Sequence, residues 1–461
     1  MSWFHQRFIA LVGLAHRYWP ELLLVSWGIF MRATMAFTYD VRWGYDFPDH
    51  WAVIDWFLTH RELPSLMLSR EADHGPLFYV LSALLHRAGL PMLHMNVLSI
   101  ACGSLRLLVI WYGLERNLGW NRPARLATLA IAAVLPVSIH NDGMVTNEAL
   151  CNLLSAVAIV LMLEILRSDS LRRWPLALTL GLALGLDMLT KISTLALMAA
   201  GGVAAFAELC WVNRGGWRGR GRRLLSWLGA LAVVLATSGW LLVHHQRVNG
   251  KMLVSGFDGS AATWYAPIAG TPYVKRRASN FFYGWTSDLY ASPYYPTGIM
   301  PVSYFWPPLV ASTFVDYYSF GFAGRTPPVE IQNTRPVPVR AALLSSYAVA
   351  GGTWIALTTM VAWLAVAFAA WRSKHAGLVL LLLVPLIGLL GQLHFAVKFA
   401  IDAQGPVKGA YLQFAAIPLY GLFGLAATWG WKRGWPYKLA IGVHASAFAA
   451  VAIYCLYARL A

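Results

Sequence analysis

The sequence is poor in charged residues, which make up 12% of its 461 positions; a typical soluble domain carries about 25%. Hydrophobic residues make up 58%. The apolar residues are grouped in runs close to the ~20 residues that cross the hydrocarbon core of a bilayer, and each run must be helical because lipid offers no partners to free backbone groups. The composition therefore argues against a soluble globular protein. Clear examples of such runs are Leu224–His244, Tyr347–Trp371, Leu378–Phe395 and Tyr411–Trp429.

Cysteine and nucleotide-binding motifs are also scarce. The four cysteines lie in apolar runs without metal-ligand spacing, as small core residues do. The sequence contains no Walker loop, no dinucleotide fingerprint and no Gly-x-Ser-x-Gly elbow. The net charge of +16 would suggest nucleic acid in a soluble protein. Here Arg and Lys cluster in short loops, as cytoplasmic membrane anchors do, so membrane lipids rather than nucleic acid are the predicted contacts.

The positions of the positive charges predict the topology. The five arginines within Arg214–Arg223 belong on the cytoplasmic side by the positive-inside rule. Pro76–Leu90 is apolar but has only about 15 residues, short for a span, and counting it as one would move those arginines outside. It is therefore predicted to be a juxtamembrane or re-entrant helix. The result is an all-α polytopic membrane protein, a bundle of about eleven transmembrane helices.

Three regions follow from this topology. Residues 1–245 form an N-terminal transmembrane module whose first outer loop is 38–76. Residues 246–340 form a small periplasmic cap, because their Pro, Tyr, Trp and Gly content favours an ordered segment. Residues 341–461 form the C-terminal transmembrane helices.

Unusual polar residues gather on the predicted outer face. The first outer loop holds Asp40, Asp46, Asp49 and His50, and Trp51–Leu63 follows with the apolar spacing of an interfacial helix. Ionisable groups near the hydrocarbon boundary are costly and suggest function, although helix caps and interfacial anchors are the plainer alternatives. Asp46 and His50 would share a face if that stretch is helical. The later outer loops add His74, Asn147, Glu148, Lys191, Lys398, Lys408 and Tyr411.

Carboxylates, a histidine and fixed cations at a membrane boundary suit the transfer of a group from a lipid phosphate. A carboxylate can take the proton from an incoming hydroxyl, and Lys or Arg can stabilise the departing phosphate. The apolar spans would hold the lipid tail. This chemistry needs no nucleotide site, in keeping with the missing motifs.

Four motifs in order resemble the GT-C superfamily of multi-span glycosyltransferases, namely bacterial relatives of the protein O-mannosyltransferase and aminoarabinose transferase families. The resemblance covers about residues 20–425. Gly75 and Ala410 depart from it, because the family usually has Pro and Arg there. The motifs are the acidic Tyr45–His50 with the amphipathic helix after it, His74–Tyr79, Asn147–Leu150 with Leu189–Lys191, and Lys408–Leu412.

The resemblance implies an inverting transfer from a polyprenyl-phosphate sugar to a lipid, glycan or protein acceptor on the periplasmic face. It implies that Asp46 is the general base, with Asp49 as the alternative, and that Glu148 positions the acceptor or a metal. Some members need a divalent cation and others do not; Asp46 and Glu148 are oxygen ligands that would suit Mg²⁺ or Mn²⁺. Phosphate or other substrate contacts are expected from Asp40, His50, His74, Asn147, Lys191, Arg276, Arg277, Lys398, Lys408 and Tyr411.

Two other functions remain open at this point. A transporter or flippase for a polyprenyl-linked glycan would place ionisable residues near mid-bilayer, with inverted repeats. The sequence has no internal repeat, but Arg106 and Asp187 lie within predicted spans. An O-antigen ligase or polymerase would use a diphosphate-linked glycan instead.

Overall fold

The structure is a computed structural model in which every described element is helical. It describes residues 3–44, 46–117, 121–168, 173–211, 216–255, 271–291, 304–315, 339–400 and 407–429, with 438, 442–443, 445–450 and 453. The helices are α1 (Trp3–Thr38), α2 (Phe47–Thr59), α3 (Leu77–Arg87), α4 (Val97–Asn117), α5 (Arg122–Val134), α6 (Pro136–Gly143), α7 (Asn147–Arg167), α8 (Arg173–Met188), α9 (Thr194–Trp211), α10 (Gly216–Asn249), α11 (Asn280–Tyr283), α12 (Asp288–Ala291), α13 (Trp306–Phe314), α14 (Val339–Ser373), α15 (Ala376–Lys398) and α16 (Ala416–Trp429).

Seven helical segments in the described part of the chain are long and apolar enough to cross a membrane, and the bent pair α5–α6 would make eight. The predicted polytopic all-α class is therefore confirmed, whereas the predicted count of eleven spans is not. α3 has 11 residues, about 17 Å of helix, against a hydrocarbon core of about 30 Å. It is too short to span, as the charge argument required.

The first outer loop folds into α2 and α3, which pack on each other. α2 buries His50, Val53, Ile54 and Phe57, the spacing of one helix face, so the predicted amphipathic helix is present. Together with residues of α3, α4 and α7, Val53, Ile54 and Phe57 form a separate apolar cluster. The loop is thus a packed layer, and it fixes the positions of the polar residues it carries.

A buried ion cluster holds α6 in place. The Nε of Arg32 lies 2.6 Å from Asp142 Oδ2, and Arg106 Nη2 lies 3.0 Å from the same oxygen. All three side chains are at most 1% exposed. Removing one member of such a cluster leaves uncompensated buried charge. The sequence analysis placed Asn147 and Glu148 in an outer loop, but they lie in the first turn of α7 and are buried, as is α6.

A close backbone contact lies at Gly75, where the related family usually has proline. The Leu77 N–H donates to Leu189 O at 2.9 Å, which ties the start of α3 to the turn after α8. A Cβ added at residue 75 would lie 2.1 Å from that carbonyl oxygen. Glycine therefore allows an approach that any larger residue would prevent.

Gly75→Ala is expected to lower stability by at least about 1–3 kcal/mol, the usual cost of overpacking, because both atoms in the clash are held by backbone. The melting temperature of the detergent-solubilised protein measures this. Gly202→Ala is the matched control, since nothing lies within 4 Å of its added Cβ and alanine favours a helix. An unchanged melting temperature for Gly75→Ala would contradict the contact.

The predicted cap, 246–340, is described in part. Residues 271–291 and 304–315 form short helices, and Phe281 and Phe305 pack with Ala396 and Val397 at the end of α15. The division of the chain into three regions at 245 and 340 stays a prediction.

Candidate active site

A cavity of about 560 Å³ lies where the first outer loop meets the transmembrane helices. It is walled by the start of α2, the loop before α3, the start of α7, the α8–α9 turn, α15 and the 3₁₀ turn Gly409–Ala415. These elements are far apart in sequence. The predicted site residues that line it are Asp46, His50, His74, Asn147, Glu148, Lys191, Lys398, Lys408 and Tyr411.

Asp46 stands immediately before α2 in a left-handed backbone conformation, with φ of 55°. Few residues other than glycine adopt it, and aspartate and asparagine tolerate it best. Its Oδ1 accepts a hydrogen bond from Arg70 Nη2 at 3.0 Å. Its Oδ2 lies 3.7 Å from Lys408 Nζ, beyond hydrogen-bond distance, and the side chain is 26% exposed. Asp46 therefore presents one carboxylate oxygen that can accept a proton.

Arg70 donates hydrogen bonds to both carboxylate oxygens of Asp49, the alternative base. Its Oδ2 accepts from Arg70 Nε and Nη2 at 3.0 and 2.7 Å, and its Oδ1 accepts from the Arg70 backbone N–H at 3.2 Å. Asp49 does not line the cavity, whereas Arg70 does. With this geometry, Asp49 holds Arg70 in position beside Asp46.

Two lysines from distant elements approach one aromatic ring. Lys191 Nζ lies 5.2 Å and Lys408 Nζ 5.7 Å from the centre of the Tyr411 ring. Lys191 also forms an ion pair with Glu148. Burial opposes its charge, but Glu148 and Tyr411 outweigh burial and hold the pKa of Lys191 above its usual value. The cavity thus carries two fixed cations on one wall.

Glu71 and His74, in the loop before α3, form a second ionic group. His74 Nε2 is 3.1 Å from Glu71 Oε2. Burial disfavours both charges, yet the nearby histidines and Lys191 hold the pKa of Glu71 well below its usual range, and Asp73 with Glu71 raises the pKa of His74. Burial lowers the pKa of His50. Glu71 and His74 therefore form an ion pair beside His50.

His50 does not contact Asp46 through its side chain, although the two residues were expected to act together. Its Nδ1 lies 3.1 Å from the Tyr79 hydroxyl and 3.6 Å from Glu71 Oε2. The reason is that α2 begins after Asp46. His50 therefore lies on the buried face of α2, where its ring contacts Tyr79 of α3.

The raised pKa of His74 predicts a pH dependence of stability. A group with a raised folded pKa contributes stability that is complete below its unfolded value, about 6.5, and is lost as pH rises through the folded pKa. The melting temperature of the wild type is therefore expected to fall as pH rises from about 6.5 through the folded pKa of His74. His74→Gln should lack this fall. Identical pH profiles for the two proteins would contradict the Glu71–His74 pair.

Three predicted contacts lie outside the cavity. Asp40 pairs with exposed Arg42 and caps a short 3₁₀ turn. Arg276 donates to the backbone oxygens of Thr271 and Lys398, at 2.9 and 2.8 Å, and Arg277 donates to Ala396 O at 3.2 Å. These two arginines bind carbonyls at the end of α15, where cations are favoured. Lys398 does line the cavity, with its Nζ 4.8 Å from the Phe399 ring centre.

Part of the chain matches a family of known proteins. The family model described as dolichyl-phosphate-mannose-protein mannosyltransferase matches residues 73–242, which include His74, Glu148 and Lys191. No curated protein matches the sequence.

Among solved structures, the archaeal oligosaccharyltransferase AglB from Archaeoglobus fulgidus is similar over 97% of this chain, at 13% identity and a TM-score of 0.50, in a complex with an inhibitory peptide and a dolichol-phosphate. The same enzyme with zinc and sulfate is similar over 95% of this chain, covers 53% of that chain, and has 11% identity and a TM-score of 0.52. The fold is shared almost throughout this sequence. The partial family match and the shared fold support the resemblance of this chain to the GT-C superfamily of multi-span glycosyltransferases.

This chain spans 56% of the length of the AglB chain in that first complex. ArnT from Cupriavidus metallidurans in the apo state was also found, at 15% identity over 96% of this chain and 78% of that one, with a TM-score of 0.40.

The cavity also contains residues that the sequence analysis did not identify. Arg70 and Glu71 line the cavity and contact Asp46, Asp49 and His74. A signal for them existed, because Arg70–His74 places four ionisable residues within five positions of a chain that is otherwise poor in charge. Gln392 was missed too, although it is an isolated amide in the apolar helix α15.

The carboxylates do not fit a divalent cation site as they stand. Asp46 faces Arg70 and Lys408, and Glu148 faces Lys191. Within the described ranges, no group of three or more His, Cys, Asp or Glu is arranged to hold a metal.

Proposed function

We propose that this protein is a glycosyltransferase that moves a sugar from a polyprenyl phosphate to a hydroxyl of a glycan, lipid or protein on the outer face of the membrane. The observation that carries the proposal is that a carboxylate with an available oxygen, Asp46, faces the same cavity as Lys191 and Lys408. A base and a cationic site for the leaving group are the two requirements of this reaction.

The reaction proceeds by one displacement. The acceptor hydroxyl oxygen attacks the anomeric carbon of the sugar and forms the new glycosidic bond. Asp46 Oδ2 takes the hydroxyl proton, and the bond between the anomeric carbon and the phosphate oxygen breaks. The electron pair leaves with polyprenyl phosphate. Attack from the side opposite the phosphate inverts the anomeric centre.

Lys191 and Lys408 stabilise the phosphate as its charge grows. Their ammonium groups are held over Tyr411 and beside carboxylates before substrate arrives, so little reorganisation is needed during the reaction. Glu148 fixes Lys191, and His74, charged through Glu71 and Asp73, adds a further cation. Arg70 orients Asp46.

The apolar part of the cavity suits the lipid. Ile192, Leu195 and Ala196, around the start of α9, line the same cavity as the lysines. A polyprenyl tail buried against such residues contributes about 25 cal/mol per Å². The AglB structure that shares this fold contains a dolichol-phosphate, which supports a polyprenyl-phosphate donor here.

A transporter is less well supported. Arg106 and Asp187 are the two residues within predicted spans that favoured a transporter. Arg106 forms an ion pair with Asp142, which also binds Arg32. Asp187 accepts a hydrogen bond from Ser155 at 2.6 Å. Both residues have interhelical partners within the bundle, as structural polar residues of membrane helices do.

Mass spectrometry of envelope glycans and lipids from a deletion strain tests the proposal. Loss of a single sugar from an otherwise normal product is the expected result. Accumulation of a complete lipid-linked glycan would instead support a flippase, ligase or polymerase and would contradict the proposal.

A further inference from the structure

Three buried amide side chains line the cavity, each with one atom that lacks a hydrogen-bond partner. The atoms are Asn141 Nδ2, Asn147 Oδ1 and Gln392 Oε1, and the residues are 1%, 0% and 5% exposed. An unsatisfied buried polar atom is costly, so such atoms usually have partners. Three of them on one cavity point to a ligand that supplies those partners.

Hydrogen bonds from their nitrogen atoms to neighbouring residues fix the orientation of two of these amides. Asn147 Nδ2 donates to the Tyr79 hydroxyl at 3.2 Å, and Gln392 Nε2 donates to Lys408 O at 2.6 Å. Their oxygens are left as acceptors without partners, and Asn141 Nδ2 is left as a donor without one. α6, α7 and α15, which carry the three residues, all pack against the 3₁₀ turn Gly409–Ala415.

These amides lie next to the cations assigned to the phosphate. Gln392 is bonded to the backbone of Lys408, and Asn147 directly precedes Glu148, the partner of Lys191. A group that the amides hold is therefore adjacent to the phosphate, where a phosphate-linked sugar must lie.

We propose that Asn141, Asn147 and Gln392 form a subsite for the hydroxyl groups of an uncharged donor sugar; this inference rests on the proposed function. Sugar hydroxyls both donate and accept hydrogen bonds, and match two acceptors and a donor. The carboxylate of an acidic sugar would face two acceptor oxygens. The subsite thereby restricts the sugar class.

An amino sugar is disfavoured for a different reason. A buried ammonium group needs a carboxylate partner, and the described carboxylates of the cavity already face cationic side chains. The pairs are Asp46 with Arg70, Glu71 with His74, Asp73 with His74, and Glu148 with Lys191. An ammonium group would have to displace one of these partners or occupy Asp46 Oδ2, the oxygen assigned to the acceptor proton.

Binding to the purified full-length protein tests the inference. Three lipids are compared: polyprenyl phosphate alone, its neutral hexosyl derivative and the corresponding amino-hexosyl derivative. The neutral sugar is expected to tighten binding at least about tenfold over the bare lipid, as one well-made buried hydrogen bond can, and the amino sugar is expected to add no affinity. This comparison needs no variant.

Variants locate the effect. Asn141→Ala and Gln392→Ala are each expected to lose about tenfold of the affinity that the neutral sugar adds over the bare lipid in the same variant. Asn141→Ala is also expected to bind the bare lipid as the wild type does. Asn152→Ala is the matched control, because Asn152 is an equally buried α7 amide without hydrogen-bond partners that does not line the cavity. It should keep wild-type affinity for all three lipids.

The outcomes separate the two proposals. If the wild type binds the bare lipid and gains nothing from the neutral sugar, or if both variants keep that gain, the subsite is overturned while the lipid-phosphate site stands. An amino-hexosyl lipid that binds as tightly as the hexosyl lipid also overturns it. If the bare lipid does not bind at all, the proposed function and the subsite both fail.

Discussion

Asp46→Asn is expected to slow sugar transfer by about 10²–10⁴-fold, the usual contribution of a general base, while the protein folds and inserts normally. Asparagine keeps the size of the side chain and tolerates the left-handed backbone that residue 46 adopts. It can still accept from Arg70, but it cannot take the acceptor proton. Transfer rates of purified variants at saturating donor measure the effect.

Asp55→Asn is the matched control for this substitution. Asp55 is an exposed aspartate on α2 that does not line the cavity, so its loss should leave transfer unchanged. Asp49→Asn should have a smaller effect than Asp46→Asn, because Asp49 acts through Arg70. Normal transfer by Asp46→Asn would falsify the base assignment, and a larger loss in Asp49→Asn would move it to Asp49.

Lys191→Met is expected to have two separable effects. Because it leaves Glu148 buried and unpaired, it should cost about 3–5 kcal/mol of stability; the side chains are only 13% and 11% exposed. It also removes a phosphate contact and should raise the KM for the donor. Melting temperature and transfer kinetics of the same preparation follow the two effects.

The double variant Lys191→Met with Glu148→Gln separates stability from chemistry. It leaves no unpaired charge, so most of the lost thermal stability should return, whereas transfer should stay low because the cation is still absent. Lys275→Met removes an exposed lysine away from the cavity and should change neither property. Recovery of transfer together with stability would show that Lys191 has a structural role alone.

The fold class and much of the candidate site could be predicted because both depend on local patterns. Apolar run length identifies membrane helices, and the shortness of Pro76–Leu90 set the direction of every later loop. With the loops assigned in this way, the sequence predicts that Asp46, Glu148, Lys191 and Lys408 all lie on the outer face of the membrane. In the structure these four residues line one cavity.

The remaining features depend on packing that no local pattern encodes. Periodicity put Asp46 and His50 together, but the backbone turns left-handed at Asp46 and α2 begins after it. Arg276 and Arg277 were expected at the phosphate because they are basic, yet they bind carbonyls at the end of α15. The grouping of Asn141, Asn147 and Gln392 arises only when α6, α7 and α15 meet at the 3₁₀ turn.

The most direct test of the central claim is the fate of a sugar-labelled polyprenyl-phosphate sugar. The purified protein is reconstituted in liposomes with acceptor extracted from membranes of a deletion strain. The account predicts that the label moves to the acceptor and that polyprenyl phosphate is released in equal amount, with both processes lost in Asp46→Asn. Label that crosses the liposome membrane still attached to its lipid, with no release of polyprenyl phosphate, would contradict it.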